Sequence, residues 1–309
     1  YQYLLSESQE RMLFVVKQEK INTLIAKFNK WGLYANVIGE VIDTNEVIIS
    51  HKGKIVAQIP TSALSDDTPV NLHNKIHNPP EFLLKKWEWQ EKNLPKINEQ
   101  KIFSLKENKT FSFSQIILKL LSNPSIASKR WIYNQYDSQV QSNTVFKPGK
   151  SDAAVIRLRE QHEKNKNQIF SGVAASVDCN SRWVSLDPFR GTIAAVAESA
   201  RNVSCVGAEP IAITNNLNFA SPETDIGFWQ LSSSCNAISE ACKALETPVT
   251  GGNVSLYNES KNKDNEIKPI NPTPVIGMVG KIDNVDKAIS SEWKNVNDQI
   301  WIIGSYKSE

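Results

Sequence analysis

The sequence predicts an α+β protein of two units, and three observations lead to this prediction. Near the N-terminus, two helix candidates precede three consecutive strand candidates, an order that favours a largely antiparallel sheet. Between residues 152 and 283, strand and helix candidates follow one another. Residues 66–113 separate the two regions and are rich in Pro, Lys, Glu and Asn, which indicates a linker. The predicted domains are therefore 1–108 and 109–309.

In the first unit, residues 6–30 have apolar side chains at helical spacing and are predicted to form two helices. Ser6 and Gln9 have the spacing of a capping box, which indicates the start of the first helix. Lys52-Gly53 is the predicted turn of a hairpin. The predicted strands cover residues 35–42, 46–51 and 54–59.

In the second unit, a small-residue helix is predicted over 192–207, with Gly207 at its C-terminal end. Asp187 followed by Pro188 is typical of a helix start, and it could equally help to seat a phosphate group. The other predicted helices cover 113–122 and 228–245, and the predicted strands cover 153–158, 168–177, 210–216 and 275–282.

Composition and net charge limit the classes of function that are expected for this chain. Hydrophobic residues make up 40% of the 309 residues and charged residues 22%, which is ordinary for a globular protein. The net charge of +2 gives no reason to expect nucleic acid, and no apolar stretch reaches the length of about 20 residues that spans a bilayer. The four cysteines lack metal-site spacing and fit a reduced, cytoplasmic setting.

The most informative motif is Pro-Val-Thr-Gly-Gly-Asn-Val-Ser-Leu-Tyr-Asn-Glu at 248–259. Gly251 and Gly252 remove two side chains, so the backbone can turn and a ligand can approach closely. The amide oxygen of Asn253 suits Mg²⁺, and Ser255 adds a hydroxyl group. The alternative interpretation is a glycine turn between a strand and a loop.

A second motif, Leu-Ser-Glu-Ser-Gln-Glu-Arg-Met, occupies residues 5–12. A helix that starts there would direct free N–H groups and the positive end of its dipole toward a phosphate. Helix capping alone explains Ser6 and Gln9, but it does not explain Glu7 or Ser8.

Five further stretches resemble the same protein family as these two motifs. They cover residues 31–41, 135–140, 144–157, 178–191 and 198–219. Together they resemble the phosphoribosylformylglycinamidine synthase family, the ATP-dependent amidotransferases of purine biosynthesis, in its smaller multi-subunit form. The resemblance implies an AIR-synthase-like fold, with a C-terminal-type domain of a first repeat followed by the N-terminal-type half-barrel domain of a second. It also implies a central part of a longer enzyme, without the first N-terminal-type part and the last C-terminal-type part.

The resemblance implies a reaction in which ATP phosphorylates the amide oxygen of formylglycinamide ribonucleotide and ammonia then displaces phosphate. Mg²⁺, a glutaminase subunit and a small bridging subunit are the implied cofactor and partners. The catalytic groups are expected in the first repeat, so no catalytic residue is expected in this chain. In the family, two N-terminal-type sheets form one barrel, and we therefore expect this chain to form a homodimer in the absence of its first repeat.

The resemblance also implies site residues by role. It assigns the ribonucleotide substrate to Glu7, Ser8, Gln9 and Ser255, ATP to Asn215 and Gly252, and Mg²⁺ to Asn253. The family usually has Asp at position 215; the amide keeps an acceptor and the same shape but loses the charge. Two other functions stay open: a nucleotide-binding scaffold module without turnover, and another ATP-dependent enzyme of the AIR-synthase superfamily.

Overall fold

The computed structural model describes residues 10–69, 78–93, 97–98, 101–104, 109–159 and 169–304. The chain divides into two compact units, residues 1–73 and 74–309. Both units contain helices and strands, so the predicted α+β class is confirmed. The domain boundary placed between residues 108 and 109 stays a prediction.

The first unit contains one α-helix and one hairpin. Helix α1 covers Ile21–Lys30, and strands β1 (Glu46–His51) and β2 (Lys54–Pro60) pair antiparallel. Lys52 and Gly53 connect the strands with φ angles of 50° and 76°. Two residues in this left-handed region give the hairpin turn that matches strand twist. The predicted hairpin and its turn are therefore confirmed.

Two other predictions for this unit are wrong in the part that the structure describes. Residues 11–17 form no helix, because the run Met12–Val16 is apolar throughout and offers no polar face to water. Residues 35–42 form no strand, and Ile38 is 82% exposed. A strand needs a neighbouring strand to bond its backbone, and none pairs with these residues among those described.

The region predicted as a linker contains regular structure. Helix α2 covers Glu81–Trp87, and a small antiparallel sheet contains β3 (Ile97–Asn98), β4 (Lys101–Ser104) and β5 (Lys109–Ser112). Helix α3 then covers Phe113–Ser122, as predicted, and helix α4 covers Arg130–Tyr133.

Helix α2 is attached to the second unit by a buried and a polar contact. Leu83 is fully buried, and Trp87 Nε1 donates a hydrogen bond of 2.7 Å to the carbonyl oxygen of Leu186. Helix α3 starts at a capping box, in which Ser112 and Gln115 bond each other's backbone N–H groups. These local contacts stabilise α2 and the start of α3.

The centre of the second unit is a five-stranded sheet. Its strands are β6 (Ala154–Arg157), β7 (Gly172–Asp178), β8 (Glu209–Asn218), β9 (Val249–Ser255) and β12 (Thr273–Ile282). Their spatial order is β6-β7-β12-β8-β9, and only β8 and β9 run parallel. A separate hairpin pairs β10 (Glu259–Lys261) with β11 (Ile267–Pro269).

Helices α5 (Ser181–Leu186), α6 (Pro188–Cys205) and α7 (Asp225–Ala244) complete this unit. Helix α6 lies on one face of the sheet, where Ile276 and Met278 of β12 are fully buried. Gly280 allows this close approach, because a Cβ there would lie 2.3 Å from Val203 Cγ1. The predicted small-residue helix is therefore confirmed, and it packs on the sheet.

Helix α6 begins four residues before the predicted start at Thr192. Asp187 is its N-cap, and one carboxylate oxygen accepts a 3.0 Å bond from the backbone N–H of Arg190. Pro188 occupies the first helical position, where its missing N–H costs nothing. Gly207 follows the C-terminal end with φ +85°, a conformation that favours glycine.

The opposite face of the sheet, which we call the open face, presents the half-buried and exposed alternate side chains of β7 and β12. The strand register places Ile156 and Val173 opposite each other on this face, and Ala175 opposite Val279. Val177 belongs to the same face and is 74% exposed. The open face is therefore an apolar surface in contact with water.

Candidate functional site

The candidate residues that the structure describes lie at the carboxyl ends of two parallel strands. Strands β8 and β9 run side by side, and α7 connects them as a crossover helix. The register pairs Asn215 with Gly252 and Ser255 with Asn218. In sheets of this type, ligands bind at the carboxyl ends of the parallel strands.

The predicted glycine loop at 251–255 is in fact the end of strand β9. Pairing with β8 explains this difference, because Gly252 fits tightly against its neighbour. A Cβ on Gly252 would lie 2.2 Å from Asn215 Oδ1 and 2.7 Å from Asn215 O. Gly251, by contrast, has no atom within 4 Å of the position of a Cβ. The structure therefore leaves no room for a side chain at Gly252, whereas it does at Gly251.

The candidate residues divide between the two faces of the sheet. Asn215 is half-buried on the helix-covered face, in line with Ile213 and Leu217, which contact the core. Its side chain adjoins Gly252, the other residue assigned to ATP. Successive side chains in a strand point to opposite faces, so Asn253 and Ser255 belong to the open face.

Ser255 has a dense set of hydrogen bonds. Its hydroxyl oxygen lies 3.2 Å from Asn258 Oδ1, and its carbonyl oxygen accepts a 2.8 Å bond from Asn258 Nδ2. The same carbonyl also accepts a 3.0 Å bond from the backbone N–H of Phe219. Asn258 Nδ2 lies 3.2 Å from the carbonyl oxygen of Phe219. Asn258 therefore joins the ends of β8 and β9, a role that the sequence analysis did not detect.

Hydroxyl groups reinforce the pairing of β8 with β9. Thr214 Oγ1 donates to the carbonyl oxygen of Gly251 at 3.2 Å, and Thr250 Oγ1 donates to that of Ile213 at 3.1 Å. At the end of β8, Asn218 Nδ2 bonds the backbone of its own strand and of β12. Asn218 thus has a structural role in this part of the sheet.

The segment after β9 also contacts the chain that leads into α7. Tyr257 has φ 60°, which is unusual for a bulky residue, and its hydroxyl donates to Glu223 Oε1 at 3.1 Å. This hydrogen bond to a carboxylate raises the pKa of Tyr257. Glu259 Oε1 accepts a 2.9 Å bond from the backbone N–H of Ser221. Two side chains therefore hold the 221–223 segment beside the strand ends.

Asp178, at the end of β7, lies in the same row of the sheet. Ile276 is its register partner on one side and pairs with Asn215 on the other. Both carboxylate oxygens of Asp178 accept hydrogen bonds, at 2.8 Å from Ser199 Oγ and 2.9 Å from Asn202 Nδ2. These bonds attach α6 to the edge of the sheet at which the candidate residues lie.

The thiol of the adjacent Cys179 is poorly ionised. Burial, and to a lesser degree the carboxylate of Glu198, raises the pKa of Cys179 to about 11. The thiol is therefore neutral at physiological pH and is not an activated nucleophile.

Some predicted site residues lie outside the part of the chain that the structure describes, and the statements on metal sites and membrane helices apply only to that part. Glu7, Ser8 and Gln9 lie outside them. Within them, no group of three or more His, Cys, Asp or Glu side chains could hold a metal ion. The same residues include no helix of sufficient length and apolarity to cross a membrane.

Two family models match the chain. The model for the N-terminal domain of AIR synthase related proteins matches residues 150–282. The model for the C-terminal domain matches residues 1–52. The predicted order, a C-terminal-type domain followed by an N-terminal-type domain, is confirmed.

Curated relatives extend the similarity to the whole chain. The phosphoribosylformylglycinamidine synthase subunit PurL of Prochlorococcus marinus strain MIT 9312 is 88% identical over all 309 residues. The corresponding subunit of strain NATL1A is 56% identical over 305 residues, or 98% of the chain. The chain spans 40% of the length of the first relative and 38% of the second.

Solved structures from Thermotoga maritima have a similar fold. PurLQS has a TM-score of 0.62 at 29% identity, over 94% of this chain and 40% of that one. PurL complexed with ATP has a TM-score of 0.62 at 27% identity, over 92% and 39%. PurL complexed with FGAR has a TM-score of 0.55 at 26% identity, over 88% and 36%. The chain therefore belongs to the phosphoribosylformylglycinamidine synthase branch of the AIR synthase related family.

Proposed function

We propose that the chain is part of an ATP-dependent ligase of purine biosynthesis. The enzyme converts formylglycinamide ribonucleotide, ATP and glutamine-derived ammonia to formylglycinamidine ribonucleotide, ADP and phosphate. The observation that carries the proposal is the convergence of Asn215, Gly252, Asn253 and Ser255 at the carboxyl ends of β8 and β9. Relatives solved with ATP and with FGAR support the choice of ligands.

The residues of the strand pair divide between the two substrates, which must meet at the strand ends for phosphoryl transfer. Asn215 and Gly252 serve ATP as a pair, in which the side chain of Asn215 lies against the backbone of Gly252. Ser255 serves the ribonucleotide from the open face. Glu7, Ser8 and Gln9 are proposed as further contacts to that substrate.

The proposed reaction needs positioning more than covalent help from the protein. The amide oxygen of the substrate bonds to the γ-phosphorus of ATP, and ADP leaves. Ammonia then adds to the activated carbon, and the C–O bond breaks as phosphate leaves. Phosphoryl transfer of this kind depends on in-line geometry and charge stabilisation. We propose that the catalytic groups belong to the part of the relatives that this chain does not span.

Asn253 fits a magnesium ion as a single ligand. It is exposed near the end of β9, and the register places it opposite Asn216. An amide oxygen is a ligand that Mg²⁺ accepts, and the ion usually shares its other positions with water and phosphate. Magnesium supplies charge neutralisation to the transferred phosphoryl group when it is bound. The acidic ligands of such a site would come from outside the described residues.

Kinetics of the full-length relative that is 88% identical test the proposal. Ser255→Ala there should raise the KM for formylglycinamide ribonucleotide about two- to tenfold, because one hydrogen bond is lost, and leave the KM for ATP unchanged. Ser122→Ala is the matched control, because it removes a hydroxyl that bonds the carbonyl oxygen of Lys119 in α3, and both KM values should stay constant. An unchanged KM for the ribonucleotide in Ser255→Ala would refute the substrate role.

The proposed partners follow from the same family. A glutaminase subunit would supply ammonia, and a small bridging subunit would join it to the synthase; the assembled PurLQS neighbour supports this expectation. The metabolic role places the enzyme in the cytoplasm. Co-purification of the full-length relative with both subunits tests the assembly, and recovery of the synthase without them would contradict it.

A second candidate function, a nucleotide-binding scaffold module, is favoured by the open face. An apolar sheet face with Val177 and Ile156 in water is stabilised when a second sheet covers it. We propose that two copies of the chain pair through this face. Light scattering should show a dimer at micromolar concentration and a monomer for Val177→Asp. A monomeric mass for both proteins would exclude this pairing.

A further inference from the structure

Asn258 contacts Ser255 with both ends of its side-chain amide. Its Nδ2 lies 2.8 Å from the carbonyl oxygen of Ser255 and 3.2 Å from that of Phe219. Its Oδ1 lies 3.2 Å from Ser255 Oγ. The backbone of Asn258 is held as well, because its N–H donates to Phe219 and its carbonyl accepts from Ile270.

These contacts determine the orientation of the amide. A carbonyl oxygen only accepts hydrogen bonds, so the group that faces Ser255 O and Phe219 O must be the NH₂ group. Its two hydrogens then face the two carbonyls. Nδ2 also lies 3.1 Å from Ser255 Oγ, so its hydrogens are shared among the three oxygens, and at least one lone pair of the Ser255 hydroxyl stays available.

The orientation of Asn258 in turn determines what Ser255 offers to a ligand. Oδ1 cannot donate, so the hydroxyl hydrogen of Ser255 must point toward it. We infer that Asn258 is a positioning residue that uses the hydroxyl hydrogen of Ser255, so that the Ser255 oxygen accepts a hydrogen bond from an O–H or N–H group of the substrate. The inference rests on the proposed substrate role of Ser255.

The inference specifies which part of the ligand meets Ser255. Phosphate oxygens at neutral pH and carbonyl oxygens are acceptors, so they do not pair with a hydroxyl whose hydrogen is already bonded. Ribose hydroxyls and the amide N–H groups of the ribonucleotide are donors. Ser255 therefore contacts the ribose or the glycinamide part of the substrate.

A double-mutant cycle in the full-length 88% identical relative tests this inference. The variants are Ser255→Ala, Asn258→Ala and the double variant, and the measured quantity is the Kd for formylglycinamide ribonucleotide. Asn258→Ala should raise the Kd about fivefold in the wild-type background and by less than about twofold in the Ser255→Ala background, because the effect passes through the hydroxyl. Asn258→Ser replaces Asn258→Ala if the latter does not fold.

Asn262→Ala is the matched control. Asn262 is also an asparagine that bonds backbone and side chain, but its partners are Asp264 and Glu266 in the β10–β11 connection. It should lower the melting temperature without changing the Kd.

The outcomes separate the two proposals. If Ser255→Ala leaves the Kd unchanged, the substrate role of Ser255 is wrong, and the inference about Asn258 is refuted with it. If Ser255→Ala raises the Kd but Asn258→Ala has equal effects in both backgrounds, only the positioning role is refuted. A substrate analogue without the ribose hydroxyls identifies the group that Ser255 contacts. If wild type and Ser255→Ala bind this analogue with equal affinity, Ser255 contacts the ribose.

Discussion

Replacing Gly252 by alanine tests the tightest contact of the candidate site. The added Cβ would lie 2.2 Å from Asn215 Oδ1 and 2.7 Å from Asn215 O. The side-chain atom can move, but the carbonyl oxygen belongs to β8 and can shift only by disturbing its pairing with β9. Overpacking of this kind costs about 1–3 kcal/mol of the free energy of unfolding.

Gly251→Ala is the control for this prediction. Its Cβ meets no atom within 4 Å, and neither glycine has a positive φ. The free energy of unfolding should therefore change by less than about 0.5 kcal/mol, or rise slightly because alanine restricts the unfolded chain. Urea unfolding of the purified chain, followed by circular dichroism, measures both values. Equal stabilities for the two variants would refute the argument that position 252 excludes a side chain.

Three further predictions concern the second unit. Asp187→Ala should lower the free energy of unfolding by about 1 kcal/mol through loss of the helix cap, and it should leave the ATP affinity of the full-length relative unchanged. Weaker ATP binding would instead indicate that Asp187 helps to bind a phosphate group. Iodoacetamide at pH 8 should modify the exposed Cys205 well before Cys179, because burial raises the pKa of Cys179 to about 11. Mass spectrometry of digests measures the order of modification, and earlier modification of Cys179 would contradict this prediction. Trp87→Phe removes the 2.7 Å bond to Leu186 O and should cost about 1 kcal/mol in urea unfolding; no loss would mean that α2 contributes no stability through this bond.

Elements with clear local signals were predicted well. Helix α3 was predicted with its observed bounds, with Pro124 as the signal for its end, and the structure adds the capping box of Ser112 and Gln115 at its start. The β1–β2 hairpin was predicted from Lys52-Gly53, because few dipeptides adopt two left-handed residues. In these cases the information lies within a few residues of sequence.

The wrong predictions concern elements that depend on distant partners. Residues 35–42 have β-forming side chains, but a strand forms only where another strand is available to bond its backbone. Strand β9 was interpreted as a loop because Gly251 and Gly252 weaken any local strand signal. Its partner β8 is about 35 residues away, and the intervening helix α7 brings the two strands together.

The residues of the candidate site stay predictions, and their geometry was not predicted. The motif at 248–259 identified Gly252, Asn253 and Ser255, and the structure separates them between two faces of one strand. Asn258 was missed, although it belongs to the same motif, because an asparagine after a strand has no distinctive local pattern. Only its contacts with Ser255 and Phe219 reveal its role.

The spacing of the motif has a physical reason once β9 is known to be a strand. In a loop, positions 252, 253 and 255 would have no fixed relation to each other. In a strand, the even and odd positions take opposite faces, so Gly252 is fixed on one side of β9 and Asn253 and Ser255 on the other. A slip of one residue against β8 would exchange the faces and move Asn253 to the helix-covered side. The tight fit of Gly252 on Asn215 and the bond from Thr214 to Gly251 oppose that slip, so the contacts that stabilise the strand pair also determine the face on which each candidate residue lies.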